Sequence, residues 1–63
     1  MKISVCEAIC LRWAAEGKGS RDIAVLEAVP VEMVASLFSS ALTKLGASTL
    51  VEAIENAKMR EVI

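Results

Sequence analysis

The chain has 63 residues, 56% of them hydrophobic, with seven Lys/Arg against eight Asp/Glu for a formal net charge of −1. That length allows one domain, 1–63, and a core that buries only about 60% of the unfolded chain's surface. The charge balance lacks the basic excess by which free-standing nucleic-acid binders neutralise phosphate, and no apolar run is long enough to span a bilayer.

Ser4 opens the first predicted element. Ser is a preferred N-cap, and Glu7 three residues later completes a capping box. Ile9 and Trp13, with Cys6 and Cys10, fall on one stripe of this helix, Arg12 and Glu16 turn outward, and Gly17 ends it. The i, i+4 spacing of the cysteines makes a disulfide between them pointless. Two Cys in a chain without His make no zinc site. They read as small hydrophobes in a reducing cytosol, and the expected localisation is cytoplasmic. Glu7 and Arg12 interrupt the early apolar patch, so no signal peptide is expected.

The second helix is predicted at about 20–27. Ser20 is its N-cap candidate, Asp22 suits the dipole, and Ile23, Ala24 and Leu26 form the inward set. Val29-Pro30 breaks the chain, because proline disfavours helix in the residue before it and is tolerated at a helix start. The third helix is predicted at about 31–45, with Val34, Phe38, Ala41, Leu42 and Leu45 as its buried face and Gly46 as its stop. The fourth is predicted at about 49–61, capped by Thr49 with Glu52 three residues on. Leu50 or Val51, Ile54, Ala57 and Val62 line its apolar side. The expectation is an all-α, four-helix domain with Trp13, Ile23, Val34, Phe38, Leu45 and Ile54 meeting in one core. Its second and third helices have the proportions of a helix-turn-helix.

Three blocks resemble the DNA-binding domain of the LuxR/GerE family of bacterial transcription regulators, most closely its quorum-sensing branch. They are "ISVCEAICLRWAAEGKGSRDIA", within which "LRWAAEGK" is the closest stretch, "LTKLGA" and "VEAIENA". The resemblance implies a four-helix LuxR-type helix-turn-helix whose third helix enters the major groove of DNA and whose fourth pairs two subunits on a two-fold site. It also implies phosphate contacts at Lys18, Ser20, Arg21 and Lys44. The third helix departs from the family pattern with Pro30, Val31, Glu32, Met33, Ala35 and Leu37 where hydroxyl, polar or basic residues are usual. Leu50 stands where Arg or Asn is frequent. Ser36, Ser39, Ser40 and Thr43 remain, with Glu32, as the polar groups able to meet a base edge, where Arg, Lys, Asn or Gln would normally read.

Two functions follow as expectations. The first is a transcriptional regulator that binds DNA as a dimer. The second is a protein-binding derivative of the same domain, in which Met33 and Leu37, placed facing away from the Val34/Phe38 stripe, dock on a partner. Such a chain would act as an antiactivator of a full-length LuxR-type regulator. For pairing through the last helix, Leu50, Ala53 and Ala57 are the expected contacts, because a self-complementary patch is what two-fold symmetry requires. No enzyme is expected: the sequence has no His and no Tyr, no Gly-rich phosphate loop, and no base to activate Cys6 or Cys10. No cofactor and no metal are expected.

Overall fold

The computed structural model describes residues 2–63. Among them are four helices and no strand: α1 Val5–Ala15, α2 Ser20–Glu27, α3 Val31–Leu45 and α4 Leu50–Met59. The Cα radius of gyration is 10.4 Å, close to the ~10.6 Å that the size scaling of folded domains gives for this length.

Local chemistry sets the helix ends. The Ser4 hydroxyl accepts from the Glu7 N–H at 3.1 Å, and the Glu7 carboxylate accepts from the Ser4 N–H at 2.7 Å, closing the capping box. Gly17 takes φ +89 just past α1. There its N–H donates to the Ala14 carbonyl and the Lys18 N–H to that of Trp13, the paired bonds of a Schellman stop. Gly46 closes α3 in the same way, with φ +65. Thr49 caps α4 by accepting from the Glu52 N–H at 3.2 Å. Two ends differ from expectation. The N-cap of α2 is Gly19, with Ser20 already inside the helix. α4 stops at Met59 because Glu61 turns left-handed, at φ 57.

α3 is the central helix and packs against the other three. The core is not the single cluster expected. Leu11, Ala41, Leu45, Ala53 and Ala57 form one buried group between α1, α3 and α4. Cys10, Ile23, Ala24 and Val34 form a second between α1, α2 and α3. Phe38, half-buried, packs against both. Trp13 and Ile54 lie at the margins, each on a different cluster. On α1 the buried side chains are Glu7, Cys10 and Leu11, while Cys6 is exposed, so the stripe is rotated from the one read off the sequence. Leu26 is 49% exposed and is not part of the inward set of α2. The chain turns by 112° between α2 and α3, and among the described residues no single helix is long and apolar enough to cross a membrane.

Candidate nucleic-acid interface

α2 and α3 meet through a short turn, Ala28 to Pro30. Ala28 takes a left-handed conformation, φ 56 and ψ 46, and the Ala28 and Val29 N–H groups close the end of α2 on the carbonyls of Val25 and Ala24. Pro30 then sits at the N-cap of α3 in an extended conformation, where its fixed φ suits the start of a helix. This turn sets the crossing of the two helices. A 112° bend lies within the roughly 90–120° range of helix-turn-helix pairs.

The outward side of α3 exposes Glu32, Ala35, Ser36, Ser39 and Thr43, which recur at i, i+3, i+4, i+7 and i+11, one face of a helix. The face is narrow in side-chain bulk and carries hydroxyls. The Thr43 hydroxyl donates back to the Ser39 carbonyl at 3.1 Å, which leaves its lone pairs free to accept. Lys18, Ser20 and Arg21 are exposed around the start of α2. Cations there stand beside free backbone N–H groups, a setting suited to phosphate. The structure thus places six of the eight expected DNA contacts, Lys18, Ser20, Arg21, Ser36, Ser39 and Thr43, on the exposed surface around α2's start and along α3, while Ser40 is half-buried.

Lys44 is a correction. Its Nζ donates to the Glu7 carboxylate at 2.8 Å, and that carboxylate is 3% exposed, so Lys44 is turned into the α1–α3 junction rather than toward a phosphate. Burial alone would push the Glu7 pKa up. The Lys44 ammonium, the Ser4 N–H and the hydroxyls of Ser40 and Ser4 outweigh burial and bring it down to about 2. Ser40 belongs to this junction as well and is no longer a free base reader. The capping box gives Glu7 a complete local role as the partner of Ser4, and nothing in the sequence signals that the same Oε1 also accepts from Lys44.

The partner-facing residues also divide. Ala53 and Ala57 have no exposed surface and pack against Leu11, Ala41 and Leu45, so they cannot form a pairing face. Small residues there let α4 approach the core closely. On the outside of α4 stand Leu50, Val51 and Met59, 37%, 67% and 83% exposed. Leu37 does not face away from the core: it packs on the Cys10/Ile23/Ala24/Val34 cluster. Met33 is half-exposed beside it. A further contact escaped the sequence: Trp13 Nε1 donates to the Glu27 carboxylate at 2.8 Å and ties α1 to the end of α2.

No known protein family, curated protein or solved structure matches this chain.

Proposed function

We propose that the chain is a LuxR-type helix-turn-helix transcriptional regulator that binds DNA as a dimer. The observation that carries this reading is the 112° bend between α2 and α3, which leaves the hydroxyl-bearing face of α3 exposed beside Lys18 and Arg21. In this mechanism α3 lies in the major groove and brings Ser36, Ser39 and Thr43 to the base edges. Lys18, Ser20 and Arg21 hold phosphate at the start of α2. Two subunits associate through the outer residues of α4, Leu50, Val51 and Met59, because Ala53 and Ala57 are used inside the chain.

The face of α3 offers hydroxyls and no Arg, Asn or Gln, so the bidentate contacts worth about 1–3 kcal/mol each are few. Binding of this kind rests on the backbone and follows salt. Two phosphate-neutralising side chains per subunit, four per dimer, give a log–log salt slope of about −3.6, or roughly a 100-fold loss of affinity between about 50 and 200 mM salt. Fluorescence anisotropy of a labelled duplex at those two concentrations tests it; absence of saturable binding at the lower one refutes the proposal. Lys18→Ala and Arg21→Ala, each carried by both subunits, should each reduce the magnitude of the slope by about 1.8 and weaken all sequences alike.

A second reading is favoured by one observation, that Lys44 is held by Glu7 and leaves α3 with no free positive charge. Under it the domain acts through protein contact, as an antiactivator that pairs with a full-length LuxR-type regulator and removes it from DNA. In a mobility-shift assay the chain would then dissolve the regulator–operator complex without shifting the operator itself.

A further inference from the structure

Between α1 and the start of α3 lies a groove of ≈ 190 Å³. Its lining includes Cys6 and Cys10 from α1 and Met33 from α3, with Ile9 and Leu37 among the apolar walls and Glu27 at its edge. The chain has two cysteines and three methionines, and among the described residues both cysteines and Met33 line this one cavity. No Lys or Arg lines it. Among the described residues the one charged group there is the Glu27 carboxylate, so the cavity favours a cation over an anion.

Helix geometry says what the two thiols can share. Residues at i and i+4 hold their Cβ atoms about 5–6 Å apart, beyond the ~3.5–4.5 Å that a disulfide spans. A metal ion with bonds of about 2.3 Å to sulfur bridges a longer gap, allowing sulfurs up to about 4.6 Å apart. Cys10 is 3% exposed while Cys6 is open to solvent, so one ligand is shielded by the core and the other stands at the entrance. Among the described residues no three of His, Cys, Asp and Glu are grouped to hold a metal; the third donor is the Met33 thioether, which only the fold places across from α1.

We propose that Cys6, Cys10 and Met33 form a binding site for a soft monovalent metal ion, Cu(I), held by two thiolates and one thioether. Thiolate and thioether donors select Cu(I). Structural zinc takes four ligands in a tetrahedron, and this groove supplies three sulfurs. Each thiol gives its proton to solvent as its sulfur bonds the ion, and no change of oxidation state is involved. The Cys10 thiol, raised by burial and by the neighbouring Cys6 and Glu27, is the proton the ion must displace. Once bound, the ion clamps α1 to the first turn of α3.

The site stands independently of DNA binding and is tested without DNA. The reduced chain is titrated anaerobically with Cu(I) against the chromophoric chelator bathocuproine disulfonate, with the thiolate-to-copper charge-transfer absorption followed in parallel. One Cu(I) per monomeric chain is expected, with a rise in melting temperature. Cys6→Ser and Cys10→Ala should each abolish uptake, and Met33→Leu should weaken it by roughly tenfold or more, since even outer-shell partners of a metal commonly contribute that much. Cys6 and Met33 are not fully buried, so their variants are expected to keep the parent's helical circular dichroism and decide the matter even if Cys10→Ala fails to fold. The proposal is overturned by undiminished uptake in Cys6→Ser, by unchanged affinity in Met33→Leu, by half an ion per chain with two chains bridged, or by preference for Zn²⁺ over Cu(I).

Discussion

Replacing Lys44 by Met should destabilise the fold. A phosphate contact on the surface could be removed without that consequence. Lys44 Nζ stands 2.8 Å from a Glu7 carboxylate that is almost fully buried and also accepts from the Ser4 N–H. Holding the Glu7 pKa at about 2 instead of 4.5 converts to roughly 3 kcal/mol at 1.36 kcal/mol per pH unit. Water lies within a side-chain length of any point in so small a core, and screening reduces the figure to about 1–2 kcal/mol. Because the folded pKa lies below the unfolded one, this stability is present above about pH 5 and disappears as pH falls toward 2. Lys44→Met leaves the buried carboxylate without its cation, so about 2 kcal/mol should be lost near neutral pH. With a urea slope of about 1 kcal/mol/M, the midpoint followed by far-ultraviolet circular dichroism should fall by about 2 M. The deficit should shrink on acidification. Glu7→Gln combined with Lys44→Met should cost less than the two single changes added, with a coupling of about 1–2 kcal/mol. An unchanged midpoint in Lys44→Met at neutral pH, or strict additivity in the cycle, would refute the pairing and return Lys44 to the surface.

Ala28→Gly should stabilise the chain by about 1 kcal/mol, because alanine at φ 56 carries a left-handed strain that glycine lacks; an urea midpoint at or below the parent's would contradict the turn described. Phe38→Ala should cost about 3 kcal/mol, since the half-buried ring packs against both core clusters. Loss of cooperativity is the expected signature, and melting within a few degrees of the parent would mean that the clusters do not depend on it. Ala57→Glu should abolish helicity, because it forces a charge into a position with no exposed surface. Val51→Glu, on a side chain 67% exposed, should retain the fold and, if α4 pairs two subunits, shift sedimentation toward the monomer.

The sequence by itself determined the helices and their ends. Ser4 with Glu7, Thr49 with Glu52, Gly17, Pro30 and Gly46 act through contacts that span at most five residues, which covalent connection brings together whatever the rest of the chain does. That is why α3 runs from Val31 to Leu45 as its periodicity predicts. Tertiary structure alone decided how the faces are used. Glu7 and Lys44 are 37 residues apart, and their pairing depends on the crossing of α1 and α3, which no local pattern encodes. Alanine is the sharpest case: a good helix former at any position, it gives no signal of direction, so Ala53 and Ala57, expected at a pairing face, are instead buried where α4 presses against Leu11, Ala41 and Leu45. The same rule separates Cys6 from Cys10 and sets Met33 across from them. Spacing along one helix puts the two thiols side by side, but the turn at Ala28 to Pro30 and the packing of α3 fix how deep each lies and which side chain closes the groove.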